Sequence, residues 1–380
     1  MAAKCFEELL LDLVGIDSTN PDLVPGGAGE RAIADFIVGW ASHHGLSAEV
    51  VEAKPGRPNV VITCAGSGDG PTLLLNAHTD TVGGSGRPAT EPRPYVRDGR
   101  LYGRGALDTK GGLAAFMLAM KTIGSLSLSG SVIMTAVVDE EFASIGTESL
   151  LDRIRADAAI VTEPSGLQLT TSHRGFVWLE VVVTGFAAHG SLWDRGVDAI
   201  ARAGHVLVGV DRLARRLIEA PHHPMLGPGS IHASTISGGS ELSSYPGTCV
   251  IGIERRTLPG EEEADAVAEL QEIIDRIRGD QPDFDATVRA TFSREPLLVG
   301  EDADIMQVVR RAATAVLGHP PELAGGTGWM DAALLAGSGI PTIVFGPSGE
   351  GLHGDVEWVD LDSVEHVHDV VVAAAGEFCG

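Results

Sequence analysis

Three short apolar runs, each followed directly by acidic or imidazole side chains, organise the first part of the chain. These runs are 73–77 before His78 and Asp80, 131–138 before Glu140 and Glu141, and 158–162 before Glu163. Apolar residues at helical spacing predict helices at 3–14, 29–44 and 113–123. Apolar strands separated by helices are typical of an α/β fold with a mostly parallel sheet and helices on both faces. In open α/β folds, functional sites gather at the strand ends.

The pattern changes near residue 175. Alternating strands and amphipathic helices follow in the order β-α-β-β-α-β, which is the signature of a ferredoxin-like α+β unit. From residue 302 the α/β pattern returns, with helices at 302–317, 330–336 and 363–378 and a strand at 341–345. The sequence therefore predicts a discontinuous α/β domain formed by 1–175 and 294–380, with an inserted domain at 176–293.

Turn signals refine the first domain. Asp98-Gly99 between two alternating segments predicts a β-hairpin. The segment 83–94 is too rich in glycine and proline for regular structure. Gly111 and Gly112 would let a helix begin in close contact with a strand or a ligand. This stretch matches neither the P-loop nor the dinucleotide-binding spacing, so a phosphate site is not expected.

Charge and cysteine usage exclude several classes of function. The chain has 52 acidic and 27 basic residues and a net charge of -25, whereas nucleic acid or an anionic membrane requires a basic face. No apolar stretch resembles a signal peptide or a membrane helix. The four cysteines are widely scattered, which is typical of free thiols in a reducing compartment. We expect a cytoplasmic protein that binds neither nucleic acid nor membrane.

The residues that end strands or precede helices form one chemically coherent set: His78, Asp80, Asp108, Glu140, Glu141, Glu163 and His353. Histidine nitrogens and carboxylate oxygens suit zinc. Each carboxylate also has an ordinary structural explanation, such as a helix cap for Asp108 or a solvated strand end for Glu140 and Glu141. Their occurrence at equivalent strand ends favours a metal site.

Five motifs carry a resemblance to the M20 metallopeptidase family, and together they extend over nearly the whole chain. They are His-Thr-Asp at 78–80, Gly-Arg-Gly-x-x-Asp-x-Lys-Gly-Gly at 103–112, Asp-Glu-Glu at 139–141, Thr-Glu-Pro at 162–164 and Gly-Leu-His at 351–353. The family includes acetylornithine deacetylase, succinyl-diaminopimelate desuccinylase, aminoacylase-type deacylases and glutamate carboxypeptidases. The resemblance implies a zinc-exopeptidase-like domain with an inserted lid and dimerisation domain.

The resemblance also implies a role for each residue of the site. Two zinc ions (with Co²⁺ or Mn²⁺ as alternatives) would be held by His78 and Glu163, by Glu141 and His353, and by Asp108 as a bridge. Asp80 would orient His78, and Glu140 would be the general base. A hydroxide shared by the two metal ions would be the nucleophile, because bound zinc lowers the pKa of water to about 7.

Two segments of the inserted domain resemble parts of the family that contact substrate. Phe-Ala-Ala-His-Gly-Ser at 186–191 implies that His189 donates to the oxyanion of the partner subunit's site, which requires a homodimer through the inserted domain. Glu-Arg-Arg-Thr-Leu-Pro-Gly at 254–260 implies that Arg256 binds a substrate α-carboxylate. Alone, His189 fits a surface loop and Arg256 a solvated charge pair.

The sequence as a whole predicts a metal-dependent hydrolase of linear amide bonds that removes the acyl group from an N-acyl amino acid. Glu163 favours the deacylase side, since an aspartate at that place is commoner among the family's peptidases. The alternatives are a metallo-dipeptidase or carboxypeptidase and, from a different class, a catalytically silent binding protein. The presence of Glu140 argues against the silent alternative.

Overall fold

Residues 2–84 and 93–380 are described by the computed structural model. The predicted irregular segment 83–94 lies largely outside them. The helices of the described residues are α1 (Ala2–Gly15), α2 (Arg31–His43), α3 (Gly111–Ile123), α4 (Ile145–Leu150), α5 (Ala199–Glu219), α6 (Glu263–Asp280), α7 (Asp304–Leu317), α8 (Ala332–Gly337) and α9 (Leu361–Phe378). An irregular turn, Ala106–Lys110, in which Asp108 and Thr109 have non-helical backbone angles, precedes α3. None of these helices combines the length and apolar character needed to cross a membrane.

The strands of the described residues are β1 (Ser47–Lys54), β2 (Arg57–Cys64), β3 (Leu73–His78), β4 (Tyr95–Arg97), β5 (Arg100–Tyr102), β6 (Val132–Val137), β7 (Ala158–Val161), β8 (Leu169–His173), β9 (Gly175–Thr184), β10 (Ser230–Gly238), β11 (Thr248–Thr257), β12 (Asp285–Arg294), β13 (Leu297–Leu298), β14 (Leu323–Gly326), β15 (Thr342–Val344), β16 (Gly349–Glu350) and β17 (Trp358–Asp360). They belong to two compact units. The first comprises the residues up to Thr171 with Val299–Ala324 and Met330–Gly380, and the second comprises Ser172–Leu298 with Gly325–Trp329.

The central sheet of the first unit has the order β1-β2-β6-β3-β7-β15-β8. β3 pairs in parallel with β6 and β7, and β15 pairs in parallel with β7. The predicted parallel arrangement of the three apolar strands is therefore confirmed. Because parallel strands end at one edge, the residues that follow β3, β6 and β7 lie side by side.

Burial of both faces explains why these strands are continuously apolar. Every residue of β3 and β7 is buried. The largely buried helix α3 packs against α1 and α9, while α2 contacts β1 and β2, and α8 contacts β7 and β15. The central sheet is thus covered by helices, which leaves its strand ends as the place for polar side chains.

A small sheet of the order β16-β17-β5-β4 lies in the same unit. Its β4–β5 hairpin turns at Asp98 and Gly99, whose φ angles are 53° and 74°. Two consecutive positive φ values characterise the type I′ turn, so the hairpin prediction is confirmed. The loop between β16 and β17 carries His353.

The second unit spans the predicted insertion at 176–293 and extends beyond it at both ends. Its antiparallel sheet has the order β10-β11-β9-β12, with α5 and α6 packed on the sheet through a separate hydrophobic core. This order is that of the predicted ferredoxin-like unit. The role of the unit as a lid and dimerisation domain stays a prediction.

Some elements differ from the prediction. The hydrophobic pattern contains no sign of β8, because four of its five residues are polar, although all five are buried. Helix α3 begins at Gly111 rather than at residue 113, and α8 begins at Ala332 rather than at residue 330. Propensity rules favour a later start for α3, because glycine is a poor helix former.

Close packing accounts for the glycines at the start of α3. A Cβ atom added at Gly112 would lie 1.9 Å from Thr162 Oγ1, and one added at Gly111 would lie 2.7 Å from the carbonyl oxygen of Ala106. Thr162 directly precedes Glu163, so α3 packs against the strand end that carries a candidate ligand. The expectation that these glycines permit close approach is confirmed.

Gly112→Ala should destabilise the protein by about 1–3 kcal/mol, the usual cost of overpacking a tight contact. Gly39→Ala is the matched control, because Gly39 lies inside α2 with no heavy atom within 4 Å of an added Cβ. The control should gain about 0.5–1 kcal/mol through helix propensity. Thermal unfolding followed by circular dichroism measures both, and a Gly112→Ala protein as stable as the parent would contradict the packing described.

Candidate metal centre

His78, the last residue of β3, is fully buried and held in one orientation. Its Nδ1 lies 2.9 Å from the backbone carbonyl oxygen of Asp80 and 3.6 Å from Oδ1 of the same residue. Since a carbonyl oxygen can only accept, Nδ1 carries the hydrogen and Nε2 is left to act as a ligand. The predicted orienting contact of Asp80 is therefore made by its carbonyl group.

The Asp80 carboxylate has another set of partners. It accepts hydrogen bonds from the backbone N–H of Glu140 at 3.1 Å and of Glu141 at 3.2 Å, and from Asn20 Nδ2 at 2.7 Å. Asp139, with a φ of 69°, turns the chain so that the next two N–H groups meet this carboxylate. Asp80 thus fixes the backbone from which Glu140 and Glu141 extend.

Two groups of ligand atoms meet at Asp108. In the first group, His78 Nε2 lies 3.0 Å from Asp108 Oδ1 and 3.7 Å from Glu163 Oε1. In the second, His353 Nε2 lies 3.2 Å from Asp108 Oδ2 and 3.0 Å from Glu141 Oε2. Within each group the three ligand atoms are within 4.8 Å of one another. The structure thus brings together all five predicted ligands, with Asp108 common to both groups.

The donor set fits two divalent metal ions. Glu141 Oε1 is buried and has no hydrogen-bond partner within the described part of the chain. Burial, together with the charge of Asp108, raises the pKa of Glu141. Burial also raises the pKa of Glu163 well above its usual value, with Asp108 and Glu141 adding to the effect. Imidazole and carboxylate ligands around an unsatisfied carboxylate oxygen are the chemistry that zinc, cobalt or manganese would complete.

The pKa values of the two histidines are raised as well, which favours their charged forms. Burial of His78 opposes its protonation, but the charge of Glu163 and the hydrogen bonds to Asp108 and Asp80 raise its pKa well above the usual value. Hydrogen bonds to Asp108 and Glu141 raise the pKa of His353 to about 10. Without metal, these imidazolium groups partly compensate the clustered carboxylates.

Glu140 belongs to neither ligand group. Burial and the nearby charge of Glu163 raise its pKa well above the ordinary value of a glutamic acid. Its backbone N–H is held by the Asp80 carboxylate. A carboxyl group of this kind, beside the ligands but outside both groups, has the chemistry of an acid–base residue.

Sequence reasoning missed several buried residues that support the site: Asn20, Glu30, Arg57, Asp331 and Glu357. Arg57 donates to Glu30 at 2.5 and 2.6 Å and to Asp139 at 3.1 Å. Asp331 accepts from the Thr147 hydroxyl at 2.6 Å, and burial raises its pKa to about 6. Arg57 begins β2 and the others lie outside the helices and strands, and no local sequence pattern marks any of them.

The other two predicted residues belong to the second unit. His189 is exposed, with Nδ1 2.9 Å from Ser191 Oγ. Arg256 donates from Nε to Glu254 Oε1 at 2.7 Å, and its guanidinium carbon lies 5.2 Å from the centre of the Phe176 ring. Trp329 is partly buried among aromatic side chains, and its indole N–H donates to the Glu295 carbonyl at 3.0 Å.

Metal uptake by the metal-free protein should release protons, because ligation requires a neutral imidazole and His353 keeps its proton until the pH rises towards about 10. Apparent Zn²⁺ affinity should therefore increase as the pH is raised from slightly acidic to slightly alkaline. Calorimetric titration in buffers of different ionisation enthalpy should show on the order of one proton or more released per chain. A heat of binding independent of the buffer would contradict this account.

Comparison with known proteins agrees with this geometry. A sequence profile of the peptidase family M20/M25/M40 matches residues 74–377. An acetylornithine deacetylase of Myxococcus xanthus is 29% identical over 384 residues, with 98% of this chain and 97% of the relative covered.

Two solved structures share the fold. The aminopeptidase PepT of Bacillus cereus superimposes with a TM-score of 0.79 at 21% identity, over 100% of this chain and 99% of that one. The YXEP protein of Bacillus subtilis, described as a dinuclear metal-binding peptidase of the M20 family, gives a TM-score of 0.74 at 16% identity, over 99% and 98% of the two chains. The chain therefore belongs to the peptidase family M20/M25/M40 and is a metal-dependent hydrolase of amide bonds.

Proposed function

We propose that this protein is a dinuclear zinc amidohydrolase that removes the acyl group from N-acyl amino acids. The observation that carries the proposal is the sharing of Asp108 between two ligand groups, with Glu140 beside them and outside both. Co²⁺ or Mn²⁺ would suit the same ligands. His78 and Glu163 would hold one ion, Glu141 and His353 the other, and Asp108 would bridge them.

A pair of bound divalent ions would polarise the amide carbonyl group and make water acidic enough to attack it at neutral pH. The chain's own groups do the remaining work. Glu140 would accept the proton of the attacking water and pass it to the leaving amine. Its raised pKa supports this role, since it brings the carboxyl group closer to the pH at which both transfers occur.

His189 is proposed as the donor to the oxyanion of the partner subunit's site. The backbone N–H of Ser191 donates to His189 Nδ1 at 3.3 Å, so in the neutral imidazole the hydrogen resides on Nε2. Nε2 is then the atom that would donate to a developing negative charge. The exposed position of this side chain fits a contact with a second subunit.

Arg256 is proposed to bind the α-carboxylate of the substrate. Glu254 accepts from its Nε, and Trp178 in turn donates to Glu254 at 3.0 Å. With Nε engaged in this way, the two Nη groups are the edge of the guanidinium that a carboxylate would meet. An anionic substrate would need such a cation in a chain of net charge -25.

The choice of an N-acyl amino acid rests on the acetylornithine deacetylase relative and on Glu163 in its Thr-Glu-Pro setting. The alternative is a dipeptidase or carboxypeptidase with the same ligands. The fold shared with an aminopeptidase is compatible with this alternative. The catalytically silent alternative has less support, because the general base is present. The four free thiols fit the reducing cytoplasm that we propose as the compartment.

The deciding assay is a panel of N-acetyl and N-succinyl amino acids and dipeptides, with added Zn²⁺ or Co²⁺ and with a chelator. We expect metal-dependent release of free amino acid from at least one N-acyl substrate and loss of this activity with the chelator. Turnover of dipeptides alone would favour the alternative.

Glu140→Gln should retain bound metal and lose about 10²–10⁴-fold in kcat. Glu148→Gln, an exposed carboxylate in α4, is the control and should match the parent.

A homodimer through the second unit is part of the proposal. β10 is an edge strand of its sheet, and residues 232–238 of this strand are exposed. Ile236 on β10 and Val208 and Ile218 on the neighbouring helix α5 are exposed as well. An open strand edge with apolar neighbours favours pairing with another strand, and a second copy of the chain could supply one.

Ile236→Lys should therefore convert a dimer into a monomer, as measured by light scattering after size-exclusion chromatography. Because His189 would act on the partner's site, the monomer should also lose kcat. Thr287→Lys is the matched control, since it adds the same charge at an exposed position of β12, the other edge of the sheet. A parent protein that is monomeric and fully active would rule out this part of the proposal.

A further inference from the structure

Two ligands of the second group lie on separate loops that one buried carboxylate joins. Asp108 lies in the turn before α3, and His353 lies in the loop between β16 and β17. Glu357, just before β17, is 5% exposed. Its Oε1 accepts from the backbone N–H of Leu107 at 2.9 Å and of Asp108 at 3.1 Å, and its Oε2 accepts from the N–H of Gly105 at 3.0 Å.

Arg104 completes the connection to the His353 loop. Its Nη1 donates to Glu357 Oε2 at 2.8 Å, and its Nη2 donates to the carbonyl oxygen of Gly354 at 2.7 Å. Gly354 directly follows His353. The planar guanidinium therefore connects the backbone beside one ligand to the carboxylate that holds the backbone of the other.

The two ligand groups differ in what else holds them. In the first, His78 and Glu163 are buried at the ends of β3 and β7 and are positioned by the central sheet. In the second, His353 has a side chain that is 52% exposed and a φ of 55°, and it belongs to a loop outside that sheet. The loop thus needs an anchor of its own.

Only a carboxylate can accept all the hydrogen bonds that converge on Glu357, because every partner is a donor. An amide of the same shape offers one acceptor oxygen and turns an NH₂ group towards N–H donors. Glu357→Gln would therefore remove acceptors and leave buried donors unpaired. Such a variant should loosen the alignment of the two loops.

We propose that Glu357 is a positioning residue that, through Arg104, holds the His353 loop against the Asp108 turn and so sets the affinity of the second metal position. The proposal rests on the two-metal part of the proposed function and on no assumption about the substrate. Residues that orient metal ligands typically contribute about 10- to 100-fold to metal affinity.

The test is a titration of the metal-free protein with Zn²⁺ against a chromophoric chelator, repeated with Co²⁺ and read by its visible absorption. The parent should bind two equivalents. In Glu357→Gln the affinity for the first equivalent of Zn²⁺ should stay within about twofold of the parent's. The affinity for the second equivalent should fall by about 10- to 100-fold. Activity at limiting Zn²⁺ should fall and recover in excess Zn²⁺.

Asp355→Asn is the matched control, because Asp355 is exposed in the same loop and the change removes the same charge closer to His353 in sequence. This variant should bind both equivalents of Zn²⁺ with the affinities of the parent. Arg104→Lys keeps the charge but loses the two-pronged contact, so it should weaken the second equivalent in the same direction by a smaller factor. If Glu357→Gln fails to fold, the titration of Arg104→Lys tests the proposal instead.

Equal weakening of both equivalents, no weakening of either, or a parent that binds a single equivalent would overturn the proposal. The outcome is separable from the assignment of the substrate. A parent that binds two equivalents but hydrolyses no N-acyl amino acid would refute the proposed reaction, while the loss of the second equivalent in Glu357→Gln would still support the positioning role.

Discussion

The site depends on the contacts of the Asp108 carboxylate, because its two oxygens face two different imidazoles at 3.0 and 3.2 Å. The buried acids Glu141 and Glu163 surround the same point, and burial raises the pKa of both. Carboxylates are brought this close only where cations or protons compensate their charge. The imidazolium forms of His78 and His353 supply part of that compensation in the metal-free protein, and metal ions would supply more.

The central sheet positions most of these charged side chains without requiring an unusual backbone conformation. His78, Glu141 and Glu163 follow three adjacent parallel strands, so the strand spacing itself brings them together. The turn at Asp139, with its positive φ, is the exception. The buried guanidinium of Arg57 contacts the Asp139 side chain, and Asp80 accepts the two N–H groups that follow. A less common backbone conformation persists there because side chains on both sides determine it.

Three of the five candidate ligands, His78, Glu141 and Glu163, have a local sequence signal: an apolar run ends and a histidine or acid follows. The parallel order of the three strands, the Asp98-Gly99 hairpin and the close approach at Gly112 follow from equally local rules. Asn20, Arg57 and Glu357 have no such signal. Each is a single polar residue with partners far away in sequence, from 27 residues for Arg57 and Glu30 to 253 for Glu357 and Arg104. The sequence does not predict strand β8 for a related reason, since its polar residues are buried and their sequence resembles that of a loop.

Strand alternation in the second unit separates two neighbouring arginines. Along β11, Arg255 is buried and paired with Glu261 and Glu269, whereas its neighbour Arg256 lies on the opposite face with Glu254. A shift of one residue in the register of β11 would exchange these two faces and bury the wrong arginine. The pairing of buried Arg255 with these acids therefore favours the observed register. This unit has its own hydrophobic core, whereas the candidate metal ligands lie in the first unit, which has a separate core.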